Sequence, residues 1–71
     1  MPSDAPIRVL IADDHTIVRS GVAAIINAQP DMVVVAEAED GPQAVDHYIT
    51  HKPQVALIDL QMPGLDGVGV I

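Results

Sequence analysis

Three aspartates stand where two apolar stretches of the chain end. Asp13 and Asp14 follow "IRVLIA", and Asp59 follows "VALI". A carboxylate beside apolar residues costs free energy unless something pairs with it. If the two stretches are neighbouring strands, the three carboxylates crowd together, and either one of them is protonated or a divalent cation neutralises the set. Oxygen ligands of this kind suit Mg²⁺, and a carboxylate held there could also act as a nucleophile.

Each of these acids also has an ordinary structural explanation. Asp13 and Asp14 together are typical of a strand end followed by a helix cap, and Asp14 is the expected N-cap of the helix that follows. Asp59 could be a solvated strand end. The functional interpretation is favoured because interacting acids gathered at adjacent strand ends are characteristic of functional sites.

The strands that would position the acids are indicated by hydropathy. Residues 7–13 and 55–60 are short, rich in β-branched residues and almost continuously apolar. Such runs are typical of a parallel sheet that is covered on both faces. Residues 32–39 begin in the same way but end with Glu37 and Glu39 on one face, which predicts a strand at the edge of the sheet.

Two helical patterns separate the strands. Residues 15–29 carry an apolar stripe that is expected to face the core, formed by Ile17, Gly21, Ala24, Ile25 and Ala28. Residues 41–52 begin with Pro42 in the first turn and stop before Pro53, and their stripe consists of Ala44, Val45, Tyr48 and Ile49. The resulting order β-α-β-α-β with right-handed crossovers predicts an α/β fold with a parallel sheet and helices on both faces.

Bulk composition excludes several classes of protein. Ten acids against three basic residues give a formal net charge of −7 over 71 residues. Such a surface repels nucleic acid, whose affinity for proteins comes largely from Lys and Arg. The chain has no Cys, no apolar stretch near the ~20 residues that span a bilayer, and no signal-peptide pattern. We therefore expect a cytoplasmic protein that contacts no membrane.

The acids and the loop after Asp59 resemble a known family. "VLIADDH" followed by "VALIDLQMPGLDG" is similar to the receiver domain of two-component response regulators, from about residue 7 to the last residue. The run from Asp13 to Gly21 resembles the NarL/FixJ, or LuxR-type, branch. The resemblance implies a flavodoxin/CheY-like sheet, cut here to β-α-β-α-β with strand order 2-1-3.

The resemblance also implies roles for individual residues. Asp59 would be the phosphoacceptor for a sensor histidine kinase. Mg²⁺ would be bound by Asp13, Asp14, Asp59 and the backbone carbonyl of Gln61. The loop after the phosphoacceptor would be shaped by Met62, Pro63 and Gly64.

Several parts of a complete receiver are expected to be missing. Residues 1–6 are predicted to be a disordered leader and residues 7–71 an incomplete receiver domain, without its later strands and helices. The family's Lys and Ser/Thr at the phosphoryl group fall in that missing part, as does the DNA-binding helix-turn-helix of the branch. Arg8 and Arg19 lie in the wrong elements to replace the Lys, and Lys52 is expected at the opposite end of the sheet.

The incomplete fold predicts exposed apolar surfaces. Without the later strands, the third strand becomes a bare edge, and the first helix loses its packing partner. Long apolar edges pair with other chains. We therefore predict a homodimer through the edge of the third strand or through the face of the first helix.

Two alternatives compete with a phosphoaccepting module that controls a DNA-binding output. The first is a phosphorylation-incompetent fragment that acts through dimerisation. The second is a haloacid-dehalogenase-like phosphatase, which also uses an Asp nucleophile and Mg²⁺. That class requires a second acid two residues after the nucleophile, where this chain has Gln61, which cannot transfer protons. We therefore expect that the chain is not an enzyme.

The three histidines are interpreted as structural residues. His47 and His51 lie at i and i+4 on the second predicted helix. They could capture a transition metal, but no third ligand is near in the sequence, which favours a solvated helix face. His15 borders the acids and is expected in the first turn of the first helix rather than as a base.

Overall fold

The computed structural model describes residues 5–59. They form five elements: β1 (Ile7–Ala12), α1 (Thr16–Asn27), β2 (Met32–Ala38), α2 (Gly41–His51) and β3 (Val55–Ile58). The predicted order is confirmed, with boundaries close to the predicted ones. Most of the predicted leader and the site residues Gln61, Met62, Pro63 and Gly64 lie outside the described residues.

The three strands form a parallel sheet in the order β2-β1-β3. This confirms the flavodoxin/CheY-like arrangement with strand order 2-1-3. The central strand β1 is buried from Val9 to Ala12 and has a packed cluster on each face. The α2 face holds Leu10, Ala12, Ala38 and Ala44, and the α1 face holds Val9, Ile11, Ala23 and Ile26. Cover on both faces explains the continuous apolar run of β1.

The strand β2 lies at one edge of the sheet, as predicted from Glu37 and Glu39 near its C-terminal end. Its pairing with β1 shifts between Val9 and Leu10, whose partners are Val34 and Ala36. Val35 is thus the extra residue of a β-bulge. Beyond the bulge, Glu37 is exposed and carries its carboxylate toward the carboxyl end of the sheet.

The helix α1 packs on the sheet through a different stripe from the predicted one. Ile17 is 87% exposed and Ile25 is 67% exposed, and Gly21, Ala24 and Ala28 are exposed as well. The buried stripe is instead formed by Ala23 and Ile26, which are buried, and by Arg19 and Val22, which are half-buried. The prediction was wrong because apolar residues surround most of this helix, so that more than one stripe satisfies the 3.6-residue period.

The second helix begins and ends as its sequence predicted. The Asp40 carboxylate accepts a hydrogen bond from the Gln43 N–H at 2.8 Å, which caps α2. Pro42 lies in the first turn, and Lys52 closes the helix in a left-handed conformation with φ 49°. The predicted stripe is only partly correct, because Ala44 is buried while Val45, Tyr48 and Ile49 are exposed.

Two further predictions concern α2 and β3. The rings of His47 and His51 lie 5.6 Å apart and are half-buried rather than fully solvated. Among residues 5–59, the strand β3 lies at the second edge of the sheet, and its Val55 and Leu57 are exposed as expected. Neither helix within residues 5–59 has the length and apolar character that a membrane span requires.

Candidate metal centre

The carboxyl ends of β1 and β3 bring the three predicted acids together. The strands are parallel neighbours, and Ala12 pairs with Ile58, so that Asp13 and Asp59 leave the sheet side by side. The Asp59 N–H donates to the Ala12 carbonyl at 2.9 Å, which extends the strand contact into the site. Ligand atoms of Asp13, Asp14, His15 and Asp59 all lie within 4.8 Å of one another.

Asp13 is the most enclosed of the three acids. Its side chain is 17% exposed, against 33% for Asp14 and 25% for Asp59. Its Oδ1 accepts a hydrogen bond from the His15 N–H at 2.8 Å and lies 2.9 Å from His15 Nδ1. The hydrogen bond from the His15 N–H has the largest effect on the pKa of Asp13, and the contact with His15 Nδ1 has the second largest. Together they hold this pKa below its usual value, because they outweigh burial, which raises it.

The start of α1 differs from the prediction. The N-cap is His15 rather than Asp14, and no side chain forms a cap hydrogen bond at this position. The expected cap role of Asp14 was therefore wrong. The physical reason is that the Asp13 carboxylate takes the N–H of His15, and the Asp14 carboxylate instead faces the His15 ring.

His15 belongs to the acid cluster itself, and it lies at the N-cap, one residue before the first helical turn in which it was expected. Its Nδ1 lies 2.9 Å from Oδ1 of Asp14 as well as of Asp13, and 4.0 Å from Oδ2 of Asp59. The hydrogen bond with Asp13, followed by the charge of Asp14, raises the pKa of His15 above its usual value. The signal that could have indicated this role was the adjacency of His15 to two acids in the sequence.

Arg19 is a further residue of the site that sequence reasoning missed. Its Nη1 donates to the backbone carbonyl of Asp13 at 2.7 Å, and its Nε donates to Oε1 of Glu37 at 3.2 Å. Arg8, in contrast, donates to the backbone carbonyls of His51 and Lys52. Lys52 lies at the other end of the sheet, as predicted, and Arg8 lies there with it.

The donor set of the cluster fits Mg²⁺. Three carboxylates converge on one small region, and their mutual repulsion is relieved when a divalent cation binds. Mg²⁺ uses one or a few carboxylates and retains waters, which matches a site that opens to solvent at the strand ends. Asp13, Asp14 and Asp59 are the described residues that could hold such an ion.

The fold and the acid cluster together define a class of protein. The class comprises parallel α/β domains whose first and third strands end in a shared group of carboxylates. Residues 9–71 match the family profile of the response regulator receiver domain, and the chain belongs to this family.

Individual relatives agree with this assignment. The transcriptional regulatory protein LiaR of Bacillus subtilis is 50% identical over 62 residues, which cover 87% of this chain and 29% of LiaR. The receiver domain of the NarL regulator from Mycobacterium tuberculosis superposes with a TM-score of 0.87 at 41% identity, covering 93% of this chain and 53% of that one. The receiver domain of CheB from Thermotoga maritima gives a TM-score of 0.85 at 45% identity, covering 92% of this chain and 48% of that one. This chain thus spans about half of each of these two solved structures.

Proposed function

We propose that this chain is the phosphoaccepting part of a NarL/LuxR-type response regulator, with Asp59 as the phosphoacceptor. The observation that carries the proposal is the convergence of Asp13, Asp14 and Asp59 within 4.8 Å at adjacent strand ends. A nucleophilic carboxylate beside two further acids is the arrangement that metal-assisted phosphoryl transfer requires. The phosphoryl donor is a phosphohistidine of a sensor histidine kinase.

The chemistry follows from the positions of the acids. A carboxylate oxygen of Asp59 attacks phosphorus, an O–P bond forms, and the P–N bond to the donor imidazole breaks. The leaving imidazole takes up a proton. The N–H of Asp59, bonded to the Ala12 carbonyl, anchors the backbone from which the nucleophile projects. Asp13, Asp14 and Asp59 would hold Mg²⁺, and the family resemblance adds the Gln61 carbonyl as a further ligand. The bound ion would supply charge neutralisation at the transferring group.

The partners are proposed from the relatives. CheY6 of R. sphaeroides, 38% identical with a TM-score of 0.74, was solved in complex with the P1 domain of CheA3. RcsB of Salmonella enterica, 34% identical with a TM-score of 0.78, was solved bound to the promoter rprA in the presence of the phosphomimetic BeF₃⁻. We infer a cytoplasmic signalling module rather than an enzyme. The net charge of −7 disfavours DNA binding by these 71 residues. We therefore propose that DNA contact belongs to a helix-turn-helix outside them.

A second candidate function is favoured by the exposed apolar surfaces. Ile17 and Ile25 on α1, and Val55 and Leu57 on β3, are all exposed large hydrophobic residues. Unpaired strand edges and apolar patches of this kind associate with other chains. We therefore propose, as the alternative to phosphoacceptance, that the chain acts as a homodimer through the β3 edge or the α1 face.

One experiment separates the two functions. The 71-residue chain is incubated with Mg²⁺ and acetyl phosphate or beryllofluoride, and the adduct is detected by intact mass or by NMR. Asp59→Asn tests the proposed acceptor, and Asp46→Asn on α2 is the matched control, because it removes one exposed carboxylate outside the cluster. An adduct that is present in wild type and in Asp46→Asn but absent in Asp59→Asn supports the receiver function. If wild type forms no adduct and sediments as a dimer, the fragment function replaces it.

A further inference from the structure

We propose that Arg19 is the positioning residue of the metal centre, and that its guanidinium sets the orientation of the Asp13–Asp14 acid pair. The inference rests on the proposed Mg²⁺-dependent function. Within residues 5–59, the hydrogen bonds described for Arg19 go to the Asp13 backbone carbonyl and to Glu37, and its charge also acts on the Asp13 carboxylate.

The Arg19 side chain is largely enclosed by the fold. It lies on the buried stripe of α1, and only 13% of it is exposed. From there it joins three elements, since it is rooted in α1, donates to the carbonyl after β1 and donates to Glu37 on β2. A planar guanidinium that is held at two positions has little freedom, which makes it suited to fixing a neighbour.

The group that accepts the hydrogen bond from Arg19 Nη1 is the backbone carbonyl of Asp13. The Asp13 carbonyl belongs to the peptide group that links Asp13 to Asp14, and a peptide group is a rigid plane. The Asp13 N–H is already bonded to the Ala38 carbonyl at 3.0 Å, so the Arg19 contact at 2.7 Å occupies the second backbone group of this residue. Rotation of the peptide that leads into Asp14 is thereby restricted. Arg19 can thus orient the carboxylates of both acids through one backbone contact.

The positive charge of Arg19 opposes the effect of its positioning on Mg²⁺ binding. A guanidinium near the acids repels a divalent cation, so its charge by itself weakens Mg²⁺ binding. Arg19→Gln removes both the positioning and the charge. Loss of positioning predicts weaker Mg²⁺ binding, whereas loss of the charge predicts tighter binding. For Arg19→Lys, which keeps the charge but loses the planar fork, positioning predicts weaker binding and charge alone predicts no change.

The test is a set of Mg²⁺ titrations of the full chain by calorimetry or by NMR. Wild type, Arg19→Lys, Arg19→Gln and Glu37→Gln are compared with Arg8→Gln. Arg8 is the matched control because it also donates to backbone carbonyls, but at the opposite end of the sheet. Each variant is first shown by circular dichroism to be folded at the titration temperature. If Arg19→Gln does not fold, the Mg²⁺ affinities of Arg19→Lys and Glu37→Gln still test the inference.

The expected result is a loss of Mg²⁺ affinity of about tenfold in Arg19→Lys and Arg19→Gln, the lower end of the range for residues that orient metal ligands. Glu37→Gln loses less, and Arg8→Gln keeps the wild-type affinity even if it unfolds more readily. The Asp14 backbone amide resonance moves in Arg19→Lys, while that of Ala44 on α2 does not. An Arg19→Lys affinity equal to that of wild type, or tighter binding by Arg19→Gln, overturns the inference alone. If wild type itself binds no Mg²⁺, the proposed function fails and the inference fails with it.

Discussion

Replacing Asp59 with Asn should stabilise the metal-free protein. The substitution keeps the shape of the side chain but removes one of three negative charges whose ligand atoms lie within 4.8 Å of one another. Two unit charges at that separation repel by about 0.9 kcal/mol in water and about 3.5 kcal/mol at an effective dielectric constant of 20. All three acids are partly exposed, which places the net gain in the lower part of this range, at about 1–2 kcal/mol.

The assay is urea unfolding followed by far-ultraviolet circular dichroism, without Mg²⁺ and above the pKa of His15, so that the imidazole is neutral. Asp46→Asn, which removes a carboxylate outside the cluster, is the control and should change the free energy of unfolding by less than about 0.5 kcal/mol. Mg²⁺ at ten times its Kd should then stabilise wild type by about 1.4 kcal/mol, and Asp59→Asn by less. An Asp59→Asn variant that is no more stable than wild type without Mg²⁺ would refute the reasoning, since the three carboxylates would not be close enough to repel.

Two further predictions test the histidine and the core. Since the pKa of His15 is raised by its bond to Asp13 and by the charge of Asp14, the pairing stabilises the fold below about pH 6.5 and is lost as pH rises through the raised pKa. Without Mg²⁺, the stability advantage of wild type over His15→Gln should therefore be largest near pH 6 and shrink by about pH 8.5, and urea titrations showing a constant difference would contradict it. Leu10→Ala, at a residue that is 1% exposed in the centre of β1, should cost about 2–5 kcal/mol. The same change at the exposed Leu57 of β3 should cost less than about 1 kcal/mol in the same measurement, and equal losses would show that the core is not centred on β1.

The general architecture could be predicted because its signals are local. A buried central strand needs apolar residues on both faces, and the apolar run from Val9 to Ala12 meets that requirement. The ends of helix α2 could be predicted from Pro42 in its first turn and from Pro53 just beyond its last residue. The three acids could be assigned to one edge because parallel strands end on the same side of a sheet.

The choice between equivalent helix faces could not be predicted. Both Ile17 with Ile25 and Ala23 with Ile26 satisfy the helical period, and only the packing of α1 against Val9 and Ile11 decides which pair is buried. That decision also carries Arg19 inward, because it lies on the same stripe as Ala23 and Ile26. The hydrogen bond from Arg19 to the Asp13 carbonyl therefore depends on an orientation of α1 that the hydropathy pattern did not determine.

By itself, the sequence of this protein determined the order of its elements, the parallel sheet and the acids at its carboxyl end. These features depend on residue type and on spacing along one segment of the chain. The tertiary structure alone decided that His15 turns its ring onto Asp13 and Asp14 and that Arg19 holds the Asp13 carbonyl together with Glu37. The physical reason is that hydrogen bonds and ion pairs act over a few ångströms, and the separations between residues on different elements are set only when the helices pack on the sheet.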